Sequence, residues 1–145
     1  MKTSSNLAVF EELALEIKQI VGYKLITFSI IINDGTQVER VYTNNAEVYP
    51  ITGIKPILND AWTDQVIGQG KTYLASTAQE MLPFFPDLET IKSLGLGSVI
   101  NMPISIDNKV VGTVNILDAE GVYQAEDVVK MQTLLPKIIN MLKFI

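Results

Sequence analysis

Seven side chains carry the chemistry this sequence offers: the aromatics Tyr42, Tyr49, Trp62, Phe84 and Phe85, and the amides Asn101 and Asn115. Rings can wall an apolar box for a planar or aliphatic ligand, and amides supply the few oriented polar contacts that hold it. Trp62 is the sharpest of the set, because a buried indole N–H must find an acceptor. The plainer reading of the rings is core, where aromatics dominate the buried area. For the asparagines it is that each bonds backbone, as buried amides usually do. Strand parity separates the two readings: an odd loop puts Asn101 and Asn115 on one face, an even loop on opposite faces. Arg40 and Lys55 could meet an anion, but solvated cations are the simpler account. The chain contains no histidine and no cysteine. Thiol nucleophiles, Cys/His zinc sites, Ser-His-Asp triads and imidazole acid–base catalysis are therefore excluded. Ser98 and Thr113 have no base to activate them. Asp60 and Asp64 offer too few oxygens for a hard metal, and Asp60 reads as a helix cap. No catalytic residue, metal site or cofactor is expected.

The elements that must position these residues follow from periodicity. Over residues 5–21, Leu7, Phe10, Ala14, Ile17 and Val21 recur at helical spacing, widened by Leu13 and Ile20. Ser5 or Asn6 caps this helix and Gly22 ends it. Residues 23–43 alternate as a hairpin about Asn33-Asp34-Gly35, with Ile26, Phe28, Ile30 and Ile32 on one face. Residues 44–58 read as irregular, because Pro50, Gly53 and Pro56 forbid a long helix. Asn59 or Asp60 caps a short helix carrying Trp62, Val66 and Ile67. A short strand covers 71–75, a helical turn begins at Ser76 or Thr77, and Asp87 caps a helix that runs to Leu94. Residues 98–106 and 109–118 form a second hairpin about Asp107-Asn108, with Pro103 marking an edge or a bulge. Glu126–Ile145 is an amphipathic helix with Val128, Met131, Leu135, Ile138, Leu142 and Ile145 in its stripe and a kink expected at Pro136.

At 145 residues the chain is expected to form one domain, 1–145. Hydrophobic residues at 48% against 19% charged give a globular balance. A net charge of −5 lacks the basic footprint that phosphate backbones require, so no nucleic-acid partner is expected. No apolar run approaches the ~20 residues of a spanning helix, and the N-terminus lacks a signal-type apolar core. A cytoplasmic protein without membrane contact is the expectation.

The stretch Ser98-Val99-Ile100-Asn101-Met102-Pro103-Ile104, followed after a turn by Val111-Gly112-Thr113-Val114-Asn115-Ile116-Leu117, resembles the last two strands of many GAF domains. Tyr49-Pro50-Ile51-Thr52-Gly53-Ile54-Lys55-Pro56 with Trp62, and Phe85-Pro86-Asp87 through Ser93-Leu94-Gly95, are similar to a group of small stand-alone bacterial GAF proteins. The resemblance spans nearly the whole chain. It implies an α+β, PAS-related fold with a central antiparallel sheet of five or six strands. Terminal helices would cover one face, and short helices and loops would enclose a pocket on the other. It also implies an unknown small-molecule ligand, bound or sensed without catalysis; GAF domains take cyclic nucleotides, tetrapyrroles, haem and amino acids. The branch that reduces free methionine sulfoxide needs cysteines, and acidic residues where this chain has Val99, Asn115 and Leu117. Bilin attachment needs cysteine and haem binding usually needs histidine. The alternative is a structural or interaction module with a filled pocket. Leu134, Ile139 and Met141 extend the apolar surface of the last helix, and one sheet face needs only part of what the two terminal helices offer. That surplus predicts a homodimer through them, as GAF domains often form.

Overall fold

The computed structural model describes residues 4–142. Helix α1 (Ser4–Ile20) closes where the Gly22 N–H donates to the Ile17 carbonyl (3.1 Å). It begins before Ser5 and Asn6, so those two residues lie in its first turn and do not precede it as caps. Strands β1 (Leu25–Ile32) and β2 (Gln37–Thr43) form the first hairpin. Asn33 and Asp34 take φ of 52° and 56° in its turn, a region that Asn and Asp tolerate better than most side chains. The Asn44 side chain extends this pairing, accepting from the Ile26 N–H (2.9 Å) and donating to the Lys24 carbonyl (3.1 Å).

The stretch expected to be irregular contains a strand, β3 (Ile54–Pro56), with Lys55 opposite Val38. Three residues are too few for an alternation to be visible, and Pro56 is tolerated because the outer edge of a sheet has no ladder bond to lose. Helix α2 (Ala61–Thr63) starts where Asp60 accepts the Thr63 N–H (2.8 Å), and it widens at once into a π-helical turn, Asp64–Gly68. Strand β4 (Tyr73–Ala75) follows. Helix α3 (Ala78–Met81) has Thr77 as its cap, with Glu80 reaching back to the Ser76 N–H (3.2 Å). Helix α4 (Leu88–Ser93) leads to β5 (Ser98–Ile106) and β6 (Lys109–Asp118), joined by Asp107 and Asn108 at φ 54° and 63°. Two consecutive positive-φ residues match the twist of the flanking strands. Helix α5 (Ala125–Leu142) continues through Pro136; Ile145, the end of its expected stripe, lies outside the described residues.

The strands make one six-stranded antiparallel sheet in the order β3-β2-β1-β6-β5-β4. β4 reaches only as far as Tyr73 opposite Asn101, so β5 has no neighbour on that side at Pro103, and a bulge follows at Ile104/Ser105. The edge strand expected from that proline is corrected, because β5 lies between β6 and β4, while the bulge stands close to it. On one face, Phe10, Leu13, Ala14 and Ile17 of α1 and Met131, Leu134, Ile138 and Leu142 of α5 pack on Ile26, Phe28, Ile100, Met102, Val114 and Ile116. Lys137 donates to Glu16 between the two helices. Most of both stripes is consumed within one chain, with Leu13 and Leu134 in the core. Leu7, Leu15 and Ile20 of α1 and Val129 of α5 stay exposed. Leu142 is part of this core. On the other face, Met81, Leu88, Ile91 and Leu96 pack with Leu25, Ala75, Val99 and Leu117.

Candidate functional site

Between the sheet and the segment 49–91 lies a cavity of about 240 Å³, somewhat smaller than the ~300–1,000 Å³ of sites for drug-sized ligands. The strands supply its floor: Thr27 and Ser29 from β1, Arg40 from β2, Asn101 from β5, Thr113 and Asn115 from β6. Trp62, Ile67, Phe84, Phe85 and Ile91 close over them. Trp62 reaches the cavity because Asp60 anchors α2, while the Gln65 side chain, at the start of the π-helical turn, donates to the Thr72 carbonyl (2.8 Å) and ties the turn to the chain that follows it.

A directed hydrogen-bond chain crosses the floor. Trp62 Nε1–H donates to Asn101 Oδ1 (3.0 Å), Asn101 Nδ2 to Asn115 Oδ1 (2.8 Å), and Asn115 Nδ2 to Thr27 Oγ1 (3.2 Å). Indole is only a donor, so Trp62 sets the orientation of both amides. Each amide keeps one further N–H and one lone pair for another partner. The hairpin turn has two residues, an even number, which by parity alone would separate the asparagines. They nevertheless stand directly opposite each other. Ile104 pairs with Gly112 and Ser105 with Val110, so Val111 is an extra residue and restores the shared face. Gly112 is required beside it: a Cβ there would sit 2.4 Å from the Ser29 carbonyl oxygen.

A second bulge, at Val41, removes Tyr42 from the cavity. Phe28 pairs with Tyr42 but Ser29 with Arg40, so Arg40 faces the cavity and Tyr42 turns to the helices. There it packs on Phe10 and Phe28 at ring-centroid distances of 5.9 and 6.0 Å. The expectation that Tyr42 lines the pocket is corrected.

Tyr49 does line the cavity, and its hydroxyl donates to Asp87 Oδ2 (2.6 Å). Burial, and then that bond and charge, push its pKa above the ordinary tyrosine value; Arg40 opposes the shift. Asp87 precedes α4 but makes no cap bond, because its carboxylate is turned to Tyr49; the expected cap is corrected. Arg40 is half-buried, stacks over the Tyr49 ring (5.1 Å) and donates to the Pro50 carbonyl (2.9 Å). Gly53 leaves room for it, since a Cβ there would lie 2.7 Å from Arg40 Nη1. Burial lowers the Arg40 pKa against the support of Tyr49 and Asp87. Phe84 meets Tyr73 edge-on at 5.8 Å, and Phe85 lies 6.5 Å from the same ring. Ser98 is wholly buried and donates to the Ala119 carbonyl (2.8 Å), a structural tie.

Six of the seven candidates, Tyr49, Trp62, Phe84, Phe85, Asn101 and Asn115, thus border one cavity. Thr27 and Ile91 were not singled out. Thr27 was legible from its place in the alternation of β1, whereas nothing in the sequence aims Ile91 at the cavity. Arg40, set aside as solvated, borders it as well.

No protein-family model matches the chain, and no curated protein does. Solved structures do. The GAF domain of a two-component sensor histidine kinase from Bacillus halodurans superposes with a TM-score of 0.75 at 17% identity, over 94% of this chain and 92% of that one. The GAF domain/HD domain protein from Geobacter sulfurreducens gives 0.72 at 11% identity, over 93% and 90%. The blue-light-absorbing form of the PixJ GAF domain from Thermosynechococcus elongatus gives 0.68 at 14%, over 94% and 84%. Agreement over nine-tenths of the chain, with the sheet order and two-faced helix cover described above, gives this protein the α+β fold of a GAF domain.

Proposed function

We propose that this chain is a sensing domain that binds a small molecule in the cavity between its sheet and residues 49–91, without catalysing a reaction. The observation that carries the reading is the Trp62–Asn101–Asn115–Thr27 chain, a line of oriented polar groups bordering a cavity that the side chains leave open. The open space favours this reading over a structural module, which would have the pocket filled. The neighbours of the same fold include a domain of a sensor kinase and a light-absorbing domain, which supports sensing as the class. The absence of cysteine and histidine supports binding without catalysis. No helix among the described residues is long and apolar enough to cross a membrane, and a cytoplasmic site of action belongs to the same proposal. A homodimer does so only as far as Leu7, Leu15, Ile20 and Val129 can carry it, and sedimentation equilibrium in the micromolar range decides that point.

Native mass spectrometry of the chain purified without denaturation tests the binding reading. A small molecule should accompany the wild type and be lost when Asn115→Leu removes the central amide. A chain that carries nothing, and whose Trp62 emission responds to no metabolite fraction, would overturn it. Methionine sulfoxide incubated with the chain and a dithiol should be recovered unchanged.

A further inference from the structure

Four charged side chains border the cavity: Arg40, Lys55, Asp60 and Asp87. The two carboxylates are engaged, Asp60 by the Thr63 N–H and Asp87 by the Tyr49 hydroxyl. Asp87 supports the Arg40 charge without touching it. Among the described residues neither Arg40 nor Lys55 has a carboxylate at ion-pair distance. The Pro50 carbonyl takes one of the five N–H donors of Arg40. The two cations and two carboxylates of the cavity balance in formal charge, and Arg40 is the one of the four with donors to spare for a ligand.

The positions are ordered across the sheet. Lys55 on β3 stands opposite Val38, Arg40 on β2 opposite Ser29, and Thr27 on β1 opposite Asn115. The floor therefore runs from cations through hydroxyls to amides. From the strand spacing and rise, Arg40 and Asn115 are on the order of 12 Å apart between Cα atoms. Trp62, Phe84 and Phe85 face that floor with apolar surface.

We infer that the cavity takes a small monocarboxylic acid with an apolar body, its carboxylate held by the Arg40 guanidinium and a neutral hydrogen-bonding group at its other end held by Asn101 and Asn115. This rests on the binding reading above and names its ligand class. A guanidinium fork matches a planar carboxylate with two parallel bonds. Stacking on Tyr49 and the space at Gly53 hold that fork in place before any ligand arrives. A phosphate ester fits less well: Asp60 and Asp87 border the same small space and would repel a second negative charge. Lys55, on the exposed edge strand, adds long-range attraction at the mouth.

Trp62 is the only tryptophan and borders the cavity, so its emission reports occupancy directly. The probes are 4-hydroxyphenylacetate, isovalerate and phenylacetate, each with its primary amide, and phenyl phosphate. Carboxylates should shift Trp62 emission at concentrations at least tenfold below their amides. Arg40→Gln should weaken the carboxylates about tenfold or more and the amides less than twofold, the scale of one charge-assisted contact. Arg40→Lys, which keeps the charge and much of the stem, should recover part of the loss and serves as the folding control. Amides binding as well as carboxylates, or phenyl phosphate binding more tightly than phenylacetate, would overturn the inference and leave the binding reading standing. No response to any probe at millimolar concentration would overturn the inference, while the binding reading stands or falls on the co-purification test above.

Discussion

Trp62 has one polar hydrogen and no lone pair to offer, which makes Asn101 the residue on which the cavity floor depends. Asn101 is almost completely buried, and it satisfies Trp62 on one side and Asn115 on the other. Asn101→Leu keeps the volume roughly constant but leaves the indole N–H without its acceptor and Asn115 Oδ1 without its donor. Stranding such groups costs about 1–3 kcal/mol. A urea titration followed by far-ultraviolet circular dichroism should show that loss with the slope unchanged. A stability equal to wild type would mean that the chain of amides is not under tension from burial. Gly53 and Asp87 make a related point. Each supports a charged or polar partner across the cavity wall, Arg40 and Tyr49 respectively, and neither role is visible from residue type alone. An Asp before a helix reads as a cap until a tyrosine 38 positions away in the chain is seen to claim it.

At the scale of elements, two single-residue bulges decide which side chains reach the cavity. A bulge residue is extra to the ladder, so removing it leaves the faces on either side as they were. Deletion of Val111 should therefore yield a folded chain with Gly112 still opposite Ile104, Asn115 still opposite Asn101 and Trp62 emission unchanged. Deletion of Val114, three residues on, would turn Asn115 toward Ile26 and Ile116's side of the sheet and place an amide in apolar core. That variant should lose its cooperative urea transition. Equal behaviour of the two deletions would refute the parity argument. The same bulges explain what could be read in advance. The two hairpins, both terminal helices and the caps at Asp60 and Thr77 were legible, because each follows from local periodicity or turn chemistry, whereas the α+β layering was implied by the resemblance of the second hairpin to GAF strands. Tyr42 was not placed correctly, because strict alternation from Arg40 carries it into the cavity and Val41 interrupts that alternation. β3 escaped notice because its three residues are defined by pairing with β2, a contact that no local pattern encodes.

For the molecule as a whole, all five tyrosines have pKa values raised by burial above their ordinary value, Tyr49 and Tyr123 most strongly. An acid whose folded pKa lies above its unfolded one stabilises the fold below the unfolded value, and that stability is lost as pH rises through the folded value. The urea midpoint should fall once the pH passes the ordinary tyrosine range near ~10, and Tyr49→Phe should reduce the slope of that fall. No imidazole is present to add a transition near neutrality. A midpoint that holds steady through the alkaline range would contradict the burial of these hydroxyls. The sheet also separates two worlds with a wall one residue thick. Thr27 ends the polar chain on the cavity side, and Phe28, the next residue, meets the Phe10 ring of α1 at 5.1 Å on the other. A displacement of the β1 backbone at Thr27 by an occupant is therefore carried to Phe28, and the strand works as a short lever whose output is the position of α1 on the opposite face of the sheet. Backbone amide resonances of Phe10 and Ala14 should move when the cavity is filled; if they stay fixed while those of Thr27 and Asn115 shift, the lever does not transmit.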